Sequence, residues 1–235
     1  MTGGRDVSGP NYALLYNPDN KTLLYNVNLT AVAGGKYSGF QDIEQDSKGN
    51  VYVVGTFSSS IIKISPDGSK AEPWYVEQPL IANRSGLSGI AATGDILLAS
   101  DNNGGKVVKF DLTKDKGTAV TVPLTPETKL GGSDAVLVPP KYNGTVFLVA
   151  VNSVGIAVIV SKDGKWDKAE YKGIVARPTS SDTKGSSITA ALQISQSIYA
   201  LHEFFDAPSA GQLAGNRTNF PLTDITAEVD ALVKK

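Results

Sequence analysis

The sequence predicts an all-β chain folded as a β-propeller, here a partial propeller of about four to five blades. Three observations carry that reading. The stretch GFQDIEQDSKGNVYVVGTFSSSIIKISPDG, residues 39–68, alternates short β-prone runs with Ser-Lys-Gly-Asn and Pro-Asp-Gly turns, the grammar of an antiparallel meander. The same grammar returns in SGIAATGDILLASDNNGGKVVKFDLTK, in SDAVLVPPKYNGTVFLVAVNSVGIAVIVSKDG and in SITAALQISQSIYALHEFFD. Successive units begin roughly 45 to 54 residues apart, the size of a four-stranded blade.

In chain order, residues 1–11 read as a flexible lead-in and 12–235 as a single propeller domain, with blade units near 12–30, 39–77, 88–124, 133–175 and 187–226. The opening ALLYNPDNKTLLY resembles the later half of each unit, so it reads as strands three and four of a blade whose first two strands lie outside this chain. Three full units follow. The fourth starts at Ser187 with two good strands; residues 207–218 then read as a Gly/Ala/Pro/Asn loop and 219–226 as a further strand. The end, with Ile225, Val229, Leu232 and Val233 at helical spacing and Asp224 or Thr226 as cap, reads as a short helix. This strand count implies a fragment of a larger ring, about one and a half blades short before Tyr12, which exposes a blade edge and apolar faces.

Composition excludes several function classes. A formal net charge of −1 with scattered charges favours neither nucleic acid nor an acidic membrane surface. The absence of cysteine removes disulfides, thiolate metal sites and cysteine nucleophiles. No apolar run is long enough for a transmembrane segment, and the Met1-Thr-Gly-Gly-Arg5 start lacks the apolar core of a signal peptide. Five Asn-x-Ser/Thr sequons, at Asn20, Asn28, Asn83, Asn143 and Asn216, favour a secreted protein that passed through the secretory pathway. The competing reading is the general abundance of Asn, Ser and Thr in β-turns.

In a propeller the loops entering strand one and leaving strand two of each blade gather on one face. At the entries stand Gln41 and Asp42, Ser88, Asp134 and Ser187; at the exits stand Phe57, Asp101 and Asn102, Asn152, and His202 with Glu203 and Phe204. His202, the only histidine, is suited to proton transfer near neutral pH with Glu203, Asp134 or Asp42 as carboxylate partner, and equally to a hydrogen-bonded structural role. Because neighbouring strand residues face opposite ways, only one of His202 and Glu203 is expected to face the channel. Gln41, Ser88, Asp101, Asn102 and Asn152 are candidate ligand contacts, with Phe57, Phe204 and Phe205 as an apolar wall. Asp42 and Asp134 occupy comparable places in their units, and Asp101 and Asn152 comparable exits, though Asp and Asn are also ordinary turn caps. Trp74, Tyr75, Trp166 and Tyr171 are expected in outer strands, packing blade on blade. No phosphate loop, nucleophile elbow or dinucleotide fingerprint stands in a suitable context; Ser85 and Ser88 in NRSGLSG read as loop residues.

The phrases SGFQDIEQDSKGNVYVVGTFSSSIIKISPDGS, LSGIAATGDILLASDN and GGSDAVLVPPKYNGTVFLVAVNS resemble a family of secreted fungal six-bladed propellers. That family includes a Malassezia skin-yeast allergen and a protein of the core trichothecene gene cluster, and is distantly related to gluconolactonase and regucalcin. The resemblance runs from about Tyr12 to the end. It implies a small oxygenated, terpenoid-like or lipid-like ligand. Acid/base cyclase or isomerase chemistry without a cofactor is one reading, and non-enzymatic ligand binding the other. A metal-dependent lactonase is a weaker third. The carboxylates and amides named above suit a hard divalent cation, but the glutamate that lactonases supply from an early blade is missing, so no metal site is assigned. Oligomeric state is not legible in the sequence.

Overall fold

The computed structural model describes residues 9–81, 83–204 and 218–235. Its described residues form five antiparallel-built sheets arranged as a propeller-like arc. A hairpin of β1 (Tyr12–Asn17) and β2 (Thr22–Asn28) comes first. The first full blade is β3 (Ser38–Gln45), β4 (Val51–Phe57), β5 (Ser60–Ile64) and β6 (Ala71–Val76). The second is β7 (Leu87–Thr93), β8 (Ile96–Asp101), β9 (Val107–Asp111) and β10 (Val120–Val122). The third is β12 (Ser133–Leu137), β13 (Val146–Val151), β14 (Gly155–Val160) and β15 (Ala169–Ala176), and the fourth β16 (Ser187–Ile194), β17 (Ser197–Glu203) and β18 (Leu222–Asp224). The innermost strands β3, β7, β12 and β16 lie side by side in that order.

Turn chemistry explains why the chain breaks where it does. Ser65-Pro66-Asp67-Gly68 and Ser161-Lys162-Asp163-Gly164 fold alike: the glycine N–H donates to the serine carbonyl in both, and both glycines sit at positive φ, 72° and 67°. Only glycine adopts that backbone without strain. At Gly68 there is a second reason, since a Cβ there would lie 2.3 Å from the Tyr25 ring of the hairpin. Asp46 closes the β3–β4 turn by accepting from the N–H groups of Lys48 and Asn50 and from the Tyr52 hydroxyl.

Core residues fall into four clusters, each between consecutive sheets, because a strand buried on both faces must be apolar on both. Ala13, Val27 and Leu29 of the hairpin region pack on Val53, Ile62 and Ile64 of the first blade. Trp74 fills the next gap, with ring centroids 5.1 Å from Tyr52 and 5.7 Å from Phe110. Its indole N–H donates to the Lys114 carbonyl, so the buried polar atom is satisfied. Trp166 performs the same task between the second and third blades, against Phe147, and donates to the Gly144 carbonyl. It does so from the turn before β15 rather than from an outer strand, the position expected for it.

Two elements depart from the strand reading. A short helix α1 (Leu29–Ala33) follows the hairpin, capped by the Asn28 side chain accepting from Ala31 N–H. Beyond β10 the chain crosses to the third blade, where β11 (Leu124–Thr125) pairs in parallel with β15. Pro123 has no N–H to continue the β9–β10 ladder, and its carbonyl accepts from Ala169 N–H instead. The C-terminal helix α2 (Thr226–Val233) packs Val229 under the third and fourth blades and is tied down through Asp230, which accepts from Lys141 Nζ at 3.0 Å and from the Tyr142 hydroxyl. The loop expected at 207–218 lies, except for Thr218, outside the described residues, as do residues 1–8 of the lead-in.

Trp74→Ala removes the largest side chain of the first inter-blade core and orphans the Lys114 carbonyl. The expected loss is about 3–5 kcal/mol of unfolding free energy, read from urea denaturation.

Candidate functional site

Every inner strand carries a register shift near its entry: between Phe40 and Asp42, Leu87 and Ile90, Ser133 and Val136, and Ile188 and Ala190. A bulge adds one residue against the partner strand and re-aims the side chains around it. Four of them at the same level turn the strand entries toward the neighbouring blade. Gln41 Nε2 donates to the Ser88 carbonyl at 3.0 Å, and Ser88 Oγ to the Asp134 carbonyl at 3.3 Å. Asn102 Nδ2 donates to the Ser133 carbonyl at 2.5 Å. In the amide orientation that matches its neighbours, Asn152 donates to the Ile188 carbonyl at 3.2 Å and to Asp134 Oδ2 at 3.3 Å. The Ser88, Ser100 and Ser133 hydroxyls, all buried, sit 3.0 and 3.3 Å apart around Ser88. These sequence-selected polar residues do converge, and much of their hydrogen bonding holds blade to blade.

Asp42 is the group whose chemistry this setting changes most. Its Oδ2 accepts from Ile90 N–H of the next blade at 3.0 Å and its Oδ1 from Ile43 N–H at 2.9 Å. Burial pushes its pKa up to about 6, helped by the like charges of Glu44 and Asp134 and opposed by those two N–H bonds. Burial also raises Asp134. Asp42 and Gln41 line a cleft of about 210 Å3 between the hairpin and β3, whose other walls include Tyr12, Leu29, Phe40 and Ile43. A larger open hollow of about 680 Å3, bounded by Asp95, Lys109, Asp111 and Lys114, lies along the second blade and contains none of the candidate residues. Its charges are spent on surface pairs such as Lys109 with Asp167.

Other sequence-selected residues have structural duties. His202 is 1% exposed; Nδ1 is 2.8 Å from Ser186 Oγ and Nε2 3.0 Å from Thr223 Oγ1. Burial first, and then the Arg177 charge, hold its pKa below the ordinary value. With both ring nitrogens engaged by hydroxyls, it is a neutral pin of the fourth blade, which corrects its placing as a proton shuttle. Glu203 Oε1 accepts from the adjacent Phe204 N–H, away from His202. Asp101 caps the β8–β9 turn, accepting from Asn103 and Gly104 N–H, so it is a turn residue and not a ligand contact. The expected apolar wall divides: Phe57 lies against Gly39 in the first blade, while Phe204 meets Phe220 at 6.2 Å in the fourth, and Phe205 lies outside the described residues.

Register also revises two equivalences. Counting from the first pair after each bulge, Ile90–Ala99 and Val136–Val149, Asn102 and not Asp101 corresponds to Asn152; both donate their backbone N–H to a glycine carbonyl, Gly86 and Gly132. Asp42 corresponds to Ile90 and Val136, two positions beyond Asp134. Glu44, which sequence reading passed over, accepts from Ala92 N–H at 3.2 Å and faces the same blade gap as Asp42. The period-2 spacing of Asp42 and Glu44 was the available signal. Among the described residues no group of three or more His, Cys, Asp or Glu side chains is arranged to hold a metal ion.

His202 makes the fourth blade pH-sensitive. Its folded pKa is depressed, so its contribution is complete above the unfolded value of about 6.5 and is lost as pH falls from there toward the folded value. His202→Gln is expected to lower Tm at pH 7.5 and to lose less Tm than the unchanged protein between pH 7 and 5. Equal losses on acidification rule the assignment out.

Residues 23–181 match the family model described as Mal s 1 allergenic protein-like. The chain is 37% identical over 240 residues to Trichothecene biosynthesis protein 14 of Trichoderma arundinaceum, covering 99% of this chain and 64% of that protein. It is 32% identical over 238 residues to Core trichothecene cluster (CTC) protein 14 of Fusarium sporotrichioides, covering 98% of this chain and 61% of that protein. It thus spans less than two thirds of the length of these curated relatives. The crystal structure of the Malassezia sympodialis allergen Mala s 1 superposes with a TM-score of 0.73 at 24% identity, over 91% of this chain and 66% of that one. Virginiamycin B lyase from Staphylococcus aureus superposes with a TM-score of 0.53 at 13% identity, over 81% and 55%. Both structural likenesses speak for the propeller architecture alone. The match over residues 23–181 places the chain in the Mal s 1 allergenic protein-like family.

Proposed function

We propose that the chain serves trichothecene biosynthesis by holding an oxygenated sesquiterpenoid at the inner-strand entries, where Asp42 acts as a general acid and base in a cofactor-independent cyclisation or isomerisation. The biological setting comes from the two curated relatives, which are named for trichothecene biosynthesis. The observation that carries the chemistry is Asp42 itself: a carboxyl brought to about 6 by burial at the entry of β3, turned toward β7 where it accepts from Ile90 N–H. A group that titrates near the working pH can both give and take a proton, whereas an ordinary carboxylate is almost wholly ionised there. Gln41 and Asp42, both turned toward the second blade, suit the hydroxyls or ether oxygen of such a ligand. We further propose that the protein acts in the secretory pathway or outside the cell, as its sequons favour.

A second reading, ligand binding without turnover, is favoured by one observation. The amides and hydroxyls around Asp42 are largely spent on the neighbouring blade, and His202 has no free ring nitrogen. On that reading Asp42 is a polar contact and no more.

Asp42→Asn separates the two, because asparagine keeps the shape and an acceptor for Ile90 N–H, gives up the one that Ile43 N–H uses, and cannot exchange a proton. With an oxygenated sesquiterpenoid precursor as probe, turnover followed by gas chromatography and mass spectrometry is expected to fall at least tenfold, with affinity changed less than threefold. Retained turnover overturns the acid/base assignment; saturable binding with no conversion by either protein supports the binder. The same variant has a stability signature. A raised folded pKa means that the carboxyl costs stability above its unfolded pKa and that this cost vanishes as pH falls. Asp42→Asn is therefore expected to gain about 1–2 kcal/mol at pH 8 and almost nothing at pH 4, measured by denaturant unfolding at both.

A further inference from the structure

We infer that Asn20 is an N-glycan acceptor, and that its glycan covers the apolar tip of the β1–β2 hairpin. Four of the five sequons fall on described residues, and the structure distinguishes them. At Asn28 the side-chain oxygen caps α1, and the sequon hydroxyl of Thr30 accepts from the Asn11 backbone N–H. At Asn143 the sequon threonine, Thr145, is half-buried and donates to the Tyr142 carbonyl at 2.7 Å. Asn83 is exposed, but Arg84 beside it is paired to Glu77 and Ser85 bridges to Phe57, so its sequon is held against the first blade. At Asn20 both the asparagine and Thr22 are exposed, in the turn of a two-stranded hairpin.

Local geometry suits the transfer. Thr22 Oγ1 donates to Asn20 Oδ1 at 2.6 Å and Thr22 N–H donates to the same oxygen at 3.2 Å, which draws electron density toward the carbonyl and leaves Nδ2 turned to solvent. The co-substrate class is an oligosaccharide linked through its anomeric carbon to a lipid pyrophosphate. Nδ2 forms the new bond to that carbon, the carbon–oxygen bond to pyrophosphate breaks with its electron pair leaving on the lipid pyrophosphate, and the amide nitrogen gives up one proton to water. No redox change is involved.

The surroundings supply a reason for a glycan at this place. Tyr16 and Leu23 face each other across the hairpin beside the turn, and they, Leu14 and Leu24 are each more than half exposed. Among the described residues the hairpin is a two-stranded sheet, and an edge with such a face invites pairing with another chain. A sugar attached at the tip puts bulk and hydration there, and the apolar face of its first ring can lie on the Tyr16 ring.

The test is secretion of the chain behind a heterologous leader in a fungal host, followed by peptide mapping after enzymatic deglycosylation in heavy-oxygen water. Asn20 is expected to carry the isotope-tagged aspartate in most molecules. Asn20→Gln and Thr22→Ala are each expected to remove one glycan and to add self-associated species on gel filtration, while Thr22→Ser keeps the glycan. Secreted protein with Asn20 unmodified, whether or not another sequon is occupied, overturns the assignment. A glycan that is lost with no change in self-association overturns the covering role alone.

Discussion

The arrangement depends on how closely the inner strands of successive blades approach one another. At Gly89, a Cβ would lie 2.7 Å from the Asp134 carbonyl and 2.8 Å from the Val136 N–H nitrogen, so β7 and β12 can meet there only because that residue has no side chain. The bulges make the approach productive where they turn side chains of the β3 and β7 entries, Gln41, Asp42 and Ser88, toward the next blade. Behind this contact line the sheets diverge, and the widening gaps are filled by large side chains such as Trp74 and Trp166. Narrow polar contact inside and bulky apolar packing outside are two halves of one wedge geometry.

That geometry also decides which polar residues are free for chemistry. Close blades need their buried carbonyls satisfied, and Ser88, Asn102, Asn152 and Gln41 satisfy them. A carboxylate in the same place is different, because accepting N–H bonds stabilises its charge while burial opposes it. At Asp42 burial wins over the Ile90 and Ile43 bonds, and the neighbouring acids add to it. The scaffold thus produces one titratable group near neutrality as a by-product of the blade contact.

Much of the fold was legible because turn chemistry is local. Ser65-Pro66-Asp67-Gly68 and Ser161-Lys162-Asp163-Gly164 announce the same turn at the same place in two blades, and alternation marks the strands between. The candidate site was less legible, because a bulge shifts the side-chain alternation by one residue and the sequence does not print where it falls. That slip is why Asp101 stood in for Asn102 as the partner of Asn152, and why Asp42 and Asp134 looked equivalent. His202 failed for another reason: a lone histidine beside a glutamate looks reactive, and only the fold brings Ser186 and Thr223 onto its two nitrogens. The crossover of β11 was illegible as well, since Pro123 says where a ladder stops but not which sheet receives the chain next.

Acid/base chemistry and simple binding make different demands on Asp42, and the structure shows where they diverge. A binder needs only a directional acceptor, and for that a fully ionised carboxylate in the usual pKa range is better than one held partly protonated, because charge-assisted hydrogen bonds are the stronger ones. Keeping Asp42 near 6 costs folding stability at neutral pH, and the charges of Glu44 on the same strand and Asp134 on β12 increase that cost. A selected binding role gives no return for it, whereas a proton-transfer role does, because the protonated fraction is the reagent. Strained or destabilised groups do also persist where packing alone demands them, but packing does not demand a carboxyl here: the equivalent positions in the next two blades are Ile90 and Val136, and both are buried apolar residues. An acid where its register partners are hydrocarbon therefore joins two tasks in one side chain, the blade contact made by accepting Ile90 N–H and the proton transfer proposed for it.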